Sequence, residues 1–182
     1  MICFIDFETT GIDVFRDEPI EIGAILVNDK LEIICEYSSR ISLRKSVYHT
    51  KRAFKIHNIS VEDLKDSPSQ KEVLDNFFSL FGTEYKLGGW NISFDVSFLR
   101  KLCNKNGRMI KFNKINHRHI DVQSLCFLAN SLELVPLNNN SLSDWIEYFN
   151  LKRSDYHSAM EDAKLTFEVY KKLLILFQER LY

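Results

Sequence analysis

Glycine and proline are scarce in this sequence, at six and three residues among 182. That scarcity excludes Gly/Pro-rich linkers and collagen-like or low-complexity architectures. Nothing repeats, and no long block of like charge interrupts the chain, so one domain over 1–182 is expected. No apolar run reaches the roughly 20 residues needed to cross a bilayer, which leaves no membrane association to expect. The N-terminus lacks the basic start and small-residue cleavage site of a signal peptide. Cysteine is limited to Cys3, Cys35, Cys103 and Cys126, with no C-x-x-C spacing. These read as reduced, mostly buried thiols of a cytoplasmic protein, neither a disulfide frame nor a zinc site. Net charge is nearly absent as well, at -1. Any footprint for a polyanion must therefore be local.

What is present is apolar pattern. The hydrophobic fraction of 45% supports a substantial core. Residues 2–8 (ICFIDFE) form a continuous apolar run ending in acids, which suits a central strand covered on both faces. Segments 20–27 and 31–41 read as two further strands, joined by a tight hairpin at Asn28-Asp29-Lys30. A helix is expected over 68–81, with Val73, Leu74, Phe77, Phe78 and Phe81 on one side and Gly82 as its stop. A short strand follows at 86–90, then a helix capped by Asn91 and running to about Asn104. The last strand is expected at 118–122, with helices over 122–130, 141–149 and 157–180. Three consecutive strands followed by alternating helices and strands define an α/β fold, a mixed sheet with helices on its faces.

Several acids sit oddly in this pattern. Asp6 and Glu8 are two apart on a strand, so both side chains leave one face, at the C-terminal end where α/β sheets open their crevices. A solvated strand end is the ordinary alternative. Asp95 shares a helix face with Phe98, Leu99 and Leu102. Such a carboxylate is costly unless paired or metal-bound, although a first-turn acid also favours the helix dipole. Asp162 repeats the oddity, standing where the stripe of Leu165, Val169, Leu173 and Leu176 calls for a leucine. His157 lies at or before the start of that helix, where an ordinary surface histidine is the common case.

Taken together these residues suggest chemistry. Two carboxylates in contact repel by about 4 kcal/mol at an effective dielectric of 20. Four converging carboxylates would raise one another's pKa values and lose their charge. Hard divalent cations remove that conflict, and one His among four carboxylates favours Mg²⁺ or Mn²⁺. Two such ions about 4 Å apart can clamp a phosphoryl group, and a neutral imidazole can take the proton of the attacking water.

The motifs FIDFETTG at 4–11, WNISFDVSFL at 90–99 and YHSAMEDA at 156–163 together resemble the DnaQ-like DEDDh 3′–5′ exonucleases, similar to the epsilon subunit of DNA polymerase III. HNI at 57–59 resembles the family's H-G-I segment, Asp121 the acid ending its fifth strand, and SLSDWIEYFNL at 141–151 its penultimate helix. The resemblance implies a ribonuclease H-like fold, with a five-stranded mixed sheet whose first three strands are antiparallel and helices on both faces. It implies that Asp6, Glu8 and Asp162 ligate one of two Mg²⁺ or Mn²⁺ ions. Asp6 would bridge to the second ion, which Asp95 serves, and His157 would be the general base. It further implies that Thr9, Thr10, Gly11, His57, Asn91 and Phe94 meet the terminal nucleotide. Alternatives stay open for three of these: Asn91 as a plain helix cap, Phe94 as core, and Gly11 as a residue kept for backbone freedom. The chain departs from the family pattern at Trp90, where histidine is usual, and at Asn58, where glycine is usual. Asparagine tolerates a left-handed backbone, so the turn at Asn58 is expected to survive.

Two basic stretches offer a local footprint for phosphates. One is Arg100, Lys101, Lys105, Arg108, Lys111, Lys114 and Arg118; the other is Arg40, Arg44, Lys45, Lys51, Arg52 and Lys55. The reading is a metal-dependent 3′–5′ exonuclease acting on a nucleic-acid 3′ end and releasing nucleoside 5′-monophosphates. Single-stranded or frayed DNA is favoured, with proofreading as a role. The alternatives are an RNA-trimming enzyme of the same superfamily and a polymerase-associated nucleic-acid-binding subunit. The last helix ends in KKLLILFQERLY, whose apolar surface could pack on its own sheet or dock a DNA polymerase.

Overall fold

The computed structural model describes residues 1–43, 57–137, 139–154 and 158–181. Among them, strands β1 (Ile2–Thr9), β2 (Pro19–Val27), β3 (Ile33–Arg40), β4 (Lys86–Gly89) and β5 (Asn116–Asp121) build one sheet in the order β3-β2-β1-β4-β5. The first three strands are antiparallel neighbours, while β4 runs parallel to both β1 and β5. This is the mixed five-stranded sheet that the sequence implies. Helices α1 (Gln70–Phe81), α2 (Ile92–Lys105), α3 (Met109–Phe112), α4 (Val122–Ser131), α5 (Leu142–Tyr148) and α6 (Ala159–Leu181) flank it.

Alternation along β1 and β2 divides the core into two layers. Cys3, Ile5 and Phe7 of β1 and Ile22, Ala24 and Leu26 of β2 pack against α1 and α2. Phe4, Ile25 and Val27 point the other way, onto α4, α5 and α6. On that second face Phe4 meets Phe167 and Tyr170 of α6, with ring centroids 5.2 and 5.5 Å apart. Each buried side chain of this size contributes about 1.5–3 kcal/mol. The same face changes character toward the end of β1, where the next two positions are Asp6 and Glu8.

Local chemistry sets the element ends. Asn28 Oδ1 accepts the N–H groups of Lys30 and Glu32 at 2.9 and 3.0 Å, so the hairpin turn runs on to Glu32 and β3 begins at Ile33. The expected start at residue 31 gives way because Leu31 takes a positive φ of 61°. Ser69 and Glu72 form a capping box that fixes the start of α1, and Gly82, at φ 66°, ends it. The stripe expected on α1 is the buried one. Helix α3, four residues long, has no counterpart in the sequence reading, because so short a segment carries no period. At the C-terminus Leu173 is buried and Leu176 and Phe177 are partly buried against the α6 side of the core, while Ile175 stays 49% exposed. Most of that apolar tail therefore covers its own sheet. No helix of the described residues is long and apolar enough to cross a membrane.

Candidate active site

The site opens where two parallel strands end unequally. β4 pairs with β1 only as far as Phe4 opposite Gly88, yet β1 continues to Thr9. Beyond Phe4 the chain leaves β4 through Gly89, Trp90 and Asn91 and enters α2. Asn91 stands at the helix start in a left-handed conformation, φ 53°, and its side chain makes no capping bond. The expected cap is thus corrected. Asn91 instead donates its N–H to Asp121 Oδ1 at 3.1 Å and accepts Ser93 Oγ at 3.1 Å. Asp121 ends β5 and caps α4 through the Gln123 N–H, so it ties two crossovers together. This turn drives the first coil of α2 toward β1. There Asp95 Oδ1 accepts the Phe7 N–H at 3.0 Å, where a longer β4 would have offered a carbonyl. Asp95 is 2% exposed. Burial pushes its pKa well up, and the Phe7 N–H pulls it partly back.

Asp6 and Glu8 leave the opposite face of β1, as their spacing predicts. Helix α6 crosses that face, carrying Asp162 on the stripe that continues through Leu165, Val169 and Leu173, all three buried. One carboxylate oxygen from each of Asp6, Glu8 and Asp162 lies within 4.8 Å of the other two. Oxygens sharing one hard cation at 2.0–2.6 Å can stand at most about 5 Å apart, so this donor set fits such an ion. Without one, burial and mutual repulsion favour the protonated forms of Asp6 and Glu8. The Asp6 pKa lies well above the carboxylate range, through burial first and then the charges of Asp95, Asp162, Glu8 and Glu21. Glu8 is pushed up to about 8 by burial, Asp162 and Glu21, with Arg153 opposing. Asp95 is outside the three-oxygen cluster but in electrostatic contact with Asp6, its carboxylate at the edge of β1 that β4 leaves unpaired.

Three participants escaped the sequence reading. Arg153, its side chain 8% exposed, forms an ion pair with Asp162; it sits in an irregular stretch, LKRS, where nothing singles it out. Glu21 lies directly opposite Glu8 in the β1–β2 ladder and accepts the Ala159 N–H at 3.1 Å. Gly23 lies opposite Asp6. A glycine inside a strand pattern signals close backbone approach, and that signal was available in IEIGAILV.

The remaining expected residues are placed as follows. Thr9, Thr10 and Gly11 are buried at the turn after β1. Thr9 Oγ1 donates to Gly11 O at 2.7 Å, and Thr10 Oγ1 donates to Asp17 Oδ1 at 3.2 Å while accepting the Glu18 N–H. Both hydroxyls therefore fix the loop itself. Gly11 is not among the positive-φ residues; a side chain there would collide with the Asp17 carboxylate. Space, not backbone freedom, accounts for it. His57 is buried, and its Nδ1 accepts the Ile59 N–H at 3.0 Å. Asn58 has φ 53°, so the turn survives the loss of glycine as expected. Phe94 is partly buried against Phe98, 4.8 Å between centroids, and Trp90 packs partly into the α6-side core. His157 lies outside the described residues, as do Arg44, Lys45, Lys51, Arg52 and Lys55.

The first basic stretch is partly committed elsewhere. Arg108 pairs with Asp75, while Lys101 and Lys105 both pair with Glu18, which is 5% exposed and also accepts Gln70 Nε2 at 2.9 Å. This clamp binds the loop carrying Thr9–Gly11 to α2. Glu18→Ala should therefore cost about 1–3 kcal/mol by stranding its buried partners. A thermal melt should show a fall of several degrees; an unchanged Tm would deny the clamp a structural role.

The sheet order, with acids at the end of its central strand, defines a DnaQ-like nuclease on a ribonuclease H-like fold. The family model described as "RNase_T: Exonuclease" matches residues 3–170. The chain belongs to this exonuclease family. It is 30% identical to the DNA polymerase III subunit epsilon of Aquifex aeolicus, over 93% of this chain and 78% of that protein. It is also 30% identical to the PolC-type DNA polymerase III of Caldanaerobacter subterraneus subsp. tengcongensis, over 96% of this chain but only 12% of that much longer protein. Among solved structures it superposes on E. coli Exonuclease I in complex with a dT13 oligonucleotide, with a TM-score of 0.87 and 18% identity, over 98% of this chain and 42% of that one. A zinc-bound form of the E. coli Exonuclease I–single-stranded DNA complex gives 0.86 at 20% identity, over 99% of this chain and 41% of that one.

Proposed function

We propose that this protein is a metal-dependent 3′–5′ exonuclease that hydrolyses the terminal phosphodiester of single-stranded or frayed DNA to nucleoside 5′-monophosphates. The observation that carries the reading is the convergence of Asp6, Glu8 and Asp162 within 4.8 Å, with Asp95 on the neighbouring Phe7 N–H, in a chain of an exonuclease family. Asp6, Glu8 and Asp162 would hold one Mg²⁺ or Mn²⁺, and Asp6 and Asp95 a second. Such ions, when bound, neutralise the carboxylates and polarise phosphate oxygens.

The rest falls to the chain's own side chains. Glu8 and Asp162 stand on facing elements, β1 and α6, so the scissile phosphate would enter between strand and helix. The backbone of Thr9–Gly11, held by its own hydroxyls and the Glu18 clamp, would form one wall for the terminal nucleotide. Phe94 and Asn91, at the start of α2, would form the other, with His57 behind. His157 would accept the proton of the attacking water, since a free imidazole titrates near working pH. His157→Ala should lower turnover on the order of 10²–10⁴-fold while Mn²⁺ binding, followed by titration calorimetry, stays near wild type. A parallel loss of metal affinity would make His157 a ligand instead.

DNA is favoured because the epsilon relative is a DNA polymerase subunit by name and Exonuclease I is described with DNA oligonucleotides. Those names also support proofreading beside a polymerase, and four free cysteines suit a cytoplasmic setting. The test is a strand labelled at its 5′ end, as DNA and as RNA, given Mg²⁺, Mn²⁺ or chelator. A metal-dependent ladder shortening from the 3′ end supports the proposal. Faster degradation of RNA would turn it into a trimming ribonuclease, and no degradation would leave a polymerase-associated binding subunit.

A further inference from the structure

We propose that Glu21 and Gly23 are positioning residues: together they seat the N-terminus of α6 on β2 and so set the distance from Asp162 to Asp6 and Glu8. The inference rests on the proposed metal site and deepens it.

The register places these two residues beside the β1 acids. Gly23 lies opposite Asp6, and Glu21 opposite Glu8. All four positions face α6, since the same side of β1 and β2 continues as Phe4, Ile25 and Val27. On sheet chemistry alone both choices are poor. Like charges directly opposite one another destabilise a ladder, and glycine inside a strand costs about 0.5–1 kcal/mol relative to alanine. Gly23 has no positive φ to justify it.

The contacts from α6 supply the reason. A methyl group at Gly23 would collide with the backbone of Ala159 and Met160, so the first turn of the helix rests directly on the strand at this point. The obstacle is main chain on both sides, which no rotamer change relieves. Glu21 Oε2 accepts the Ala159 N–H at 3.1 Å, satisfying one of the donors that a helix start leaves without an intrahelical partner. The positive end of the helix dipole favours a carboxylate there, which offsets part of the repulsion from Glu8. Asp162 follows Ala159 by three residues, less than one turn, and its own N–H is bonded to Ser158 O at 2.9 Å. Any shift at Ala159 is therefore carried rigidly to the Asp162 carboxylate. Gly23 sets how close the helix comes, and Glu21 sets where along the strand it starts.

The test uses the full chain with Glu21→Ala, Glu21→Gln and Gly23→Ala. Three quantities are measured: Mn²⁺ affinity by calorimetry without nucleic acid, hydrogen exchange in the peptide spanning 158–162, and kcat and KM on a labelled oligonucleotide. Glu21→Ala should weaken Mn²⁺ binding about 10–100-fold, as removal of a supporting residue behind a metal ligand does. It should also speed exchange at the start of α6 and lower kcat more than it raises KM. Glu21→Gln still offers an oxygen to the Ala159 N–H, so it should restore slow exchange and most of the affinity. Gly23→Ala should lose affinity at least as severely; if it does not fold, the two Glu21 variants decide. Wild-type affinity and exchange in Glu21→Ala would overturn the proposal. So would a Glu21→Gln variant as impaired as Glu21→Ala, since charge rather than seating would then be what matters. A wild-type protein that binds no Mn²⁺ would strike the metal site itself, and the exchange comparison would still judge the seating.

Discussion

Asp162→Asn will leave a folded protein without turnover. The loss should be at least about a thousandfold, since removing a charge worth several kcal/mol to the transition state costs tenfold for each 1.4 kcal/mol. The fold should survive because Asp162 is not what holds α6 in place. Leu165, Val169 and Leu173 do that, together with the Phe4–Phe167 contact. In chelator two changes oppose each other. Repulsion toward Asp6 and Glu8 is relieved, while Arg153, almost buried, loses its ion pair with Asp162. The melting temperature without metal should thus move by only a few degrees, while the rise on adding Mn²⁺ should nearly vanish. Exonuclease assays paired with melts in EDTA and in Mn²⁺ would check this. Normal rates would take Asp162 out of the site, and an unfolded variant would make its role structural.

The metal-free protein should become less stable as pH rises from about 4.5 toward 8. Glu8 titrates near 4.5 when unfolded and near 8 in the fold. Between those values the folded chain keeps a proton that the unfolded chain has released, so stability falls with rising pH. Asp6 and Asp95 are shifted in the same direction. One such group alone would give about 1.4 kcal/mol per pH unit. Water at the mouth of the cleft screens part of this, so a total loss of about 2–4 kcal/mol is expected, or roughly 5–15 °C in Tm. Saturating Mg²⁺ or Mn²⁺ should remove the slope, because cation binding replaces the protons. Melts at pH 5 and pH 8, each with EDTA and with Mn²⁺, measure it. A flat profile in EDTA would mean that Glu8 and Asp6 titrate as ordinary exposed carboxylates and that burial does not set their charge.

Much of this architecture is legible in the sequence alone, and the reasons are local. The β1 run, the stripes of α1 and α6, and the Asn28 turn all follow from periodicity or from turn residues acting within a few positions. Asp95 and Asp162 could be singled out because each replaces an apolar residue on a stripe that is itself readable. What stayed hidden depends on register between distant segments. No local pattern says that Glu21 faces Glu8, that Glu18 gathers Lys101 and Lys105, or that Arg153 reaches Asp162. Asn91 shows the limit from another side. Its position at the helix start follows from residue type, but the left-handed backbone and the bond to Asp121 follow from how β4 and β5 end together.

The early end of β4 has one more consequence. Extending β4 by a pair of residues would complete the ladder along β1, turn the Phe7 N–H into an ordinary sheet donor and push the Asp95 carboxylate out of its place. On the proposed role of Asp95, a more regular sheet and a working catalytic centre are mutually exclusive in this protein. Stabilising designs that tidy this edge should yield hardy but inert molecules, so any effort to toughen the scaffold belongs on the β3 side.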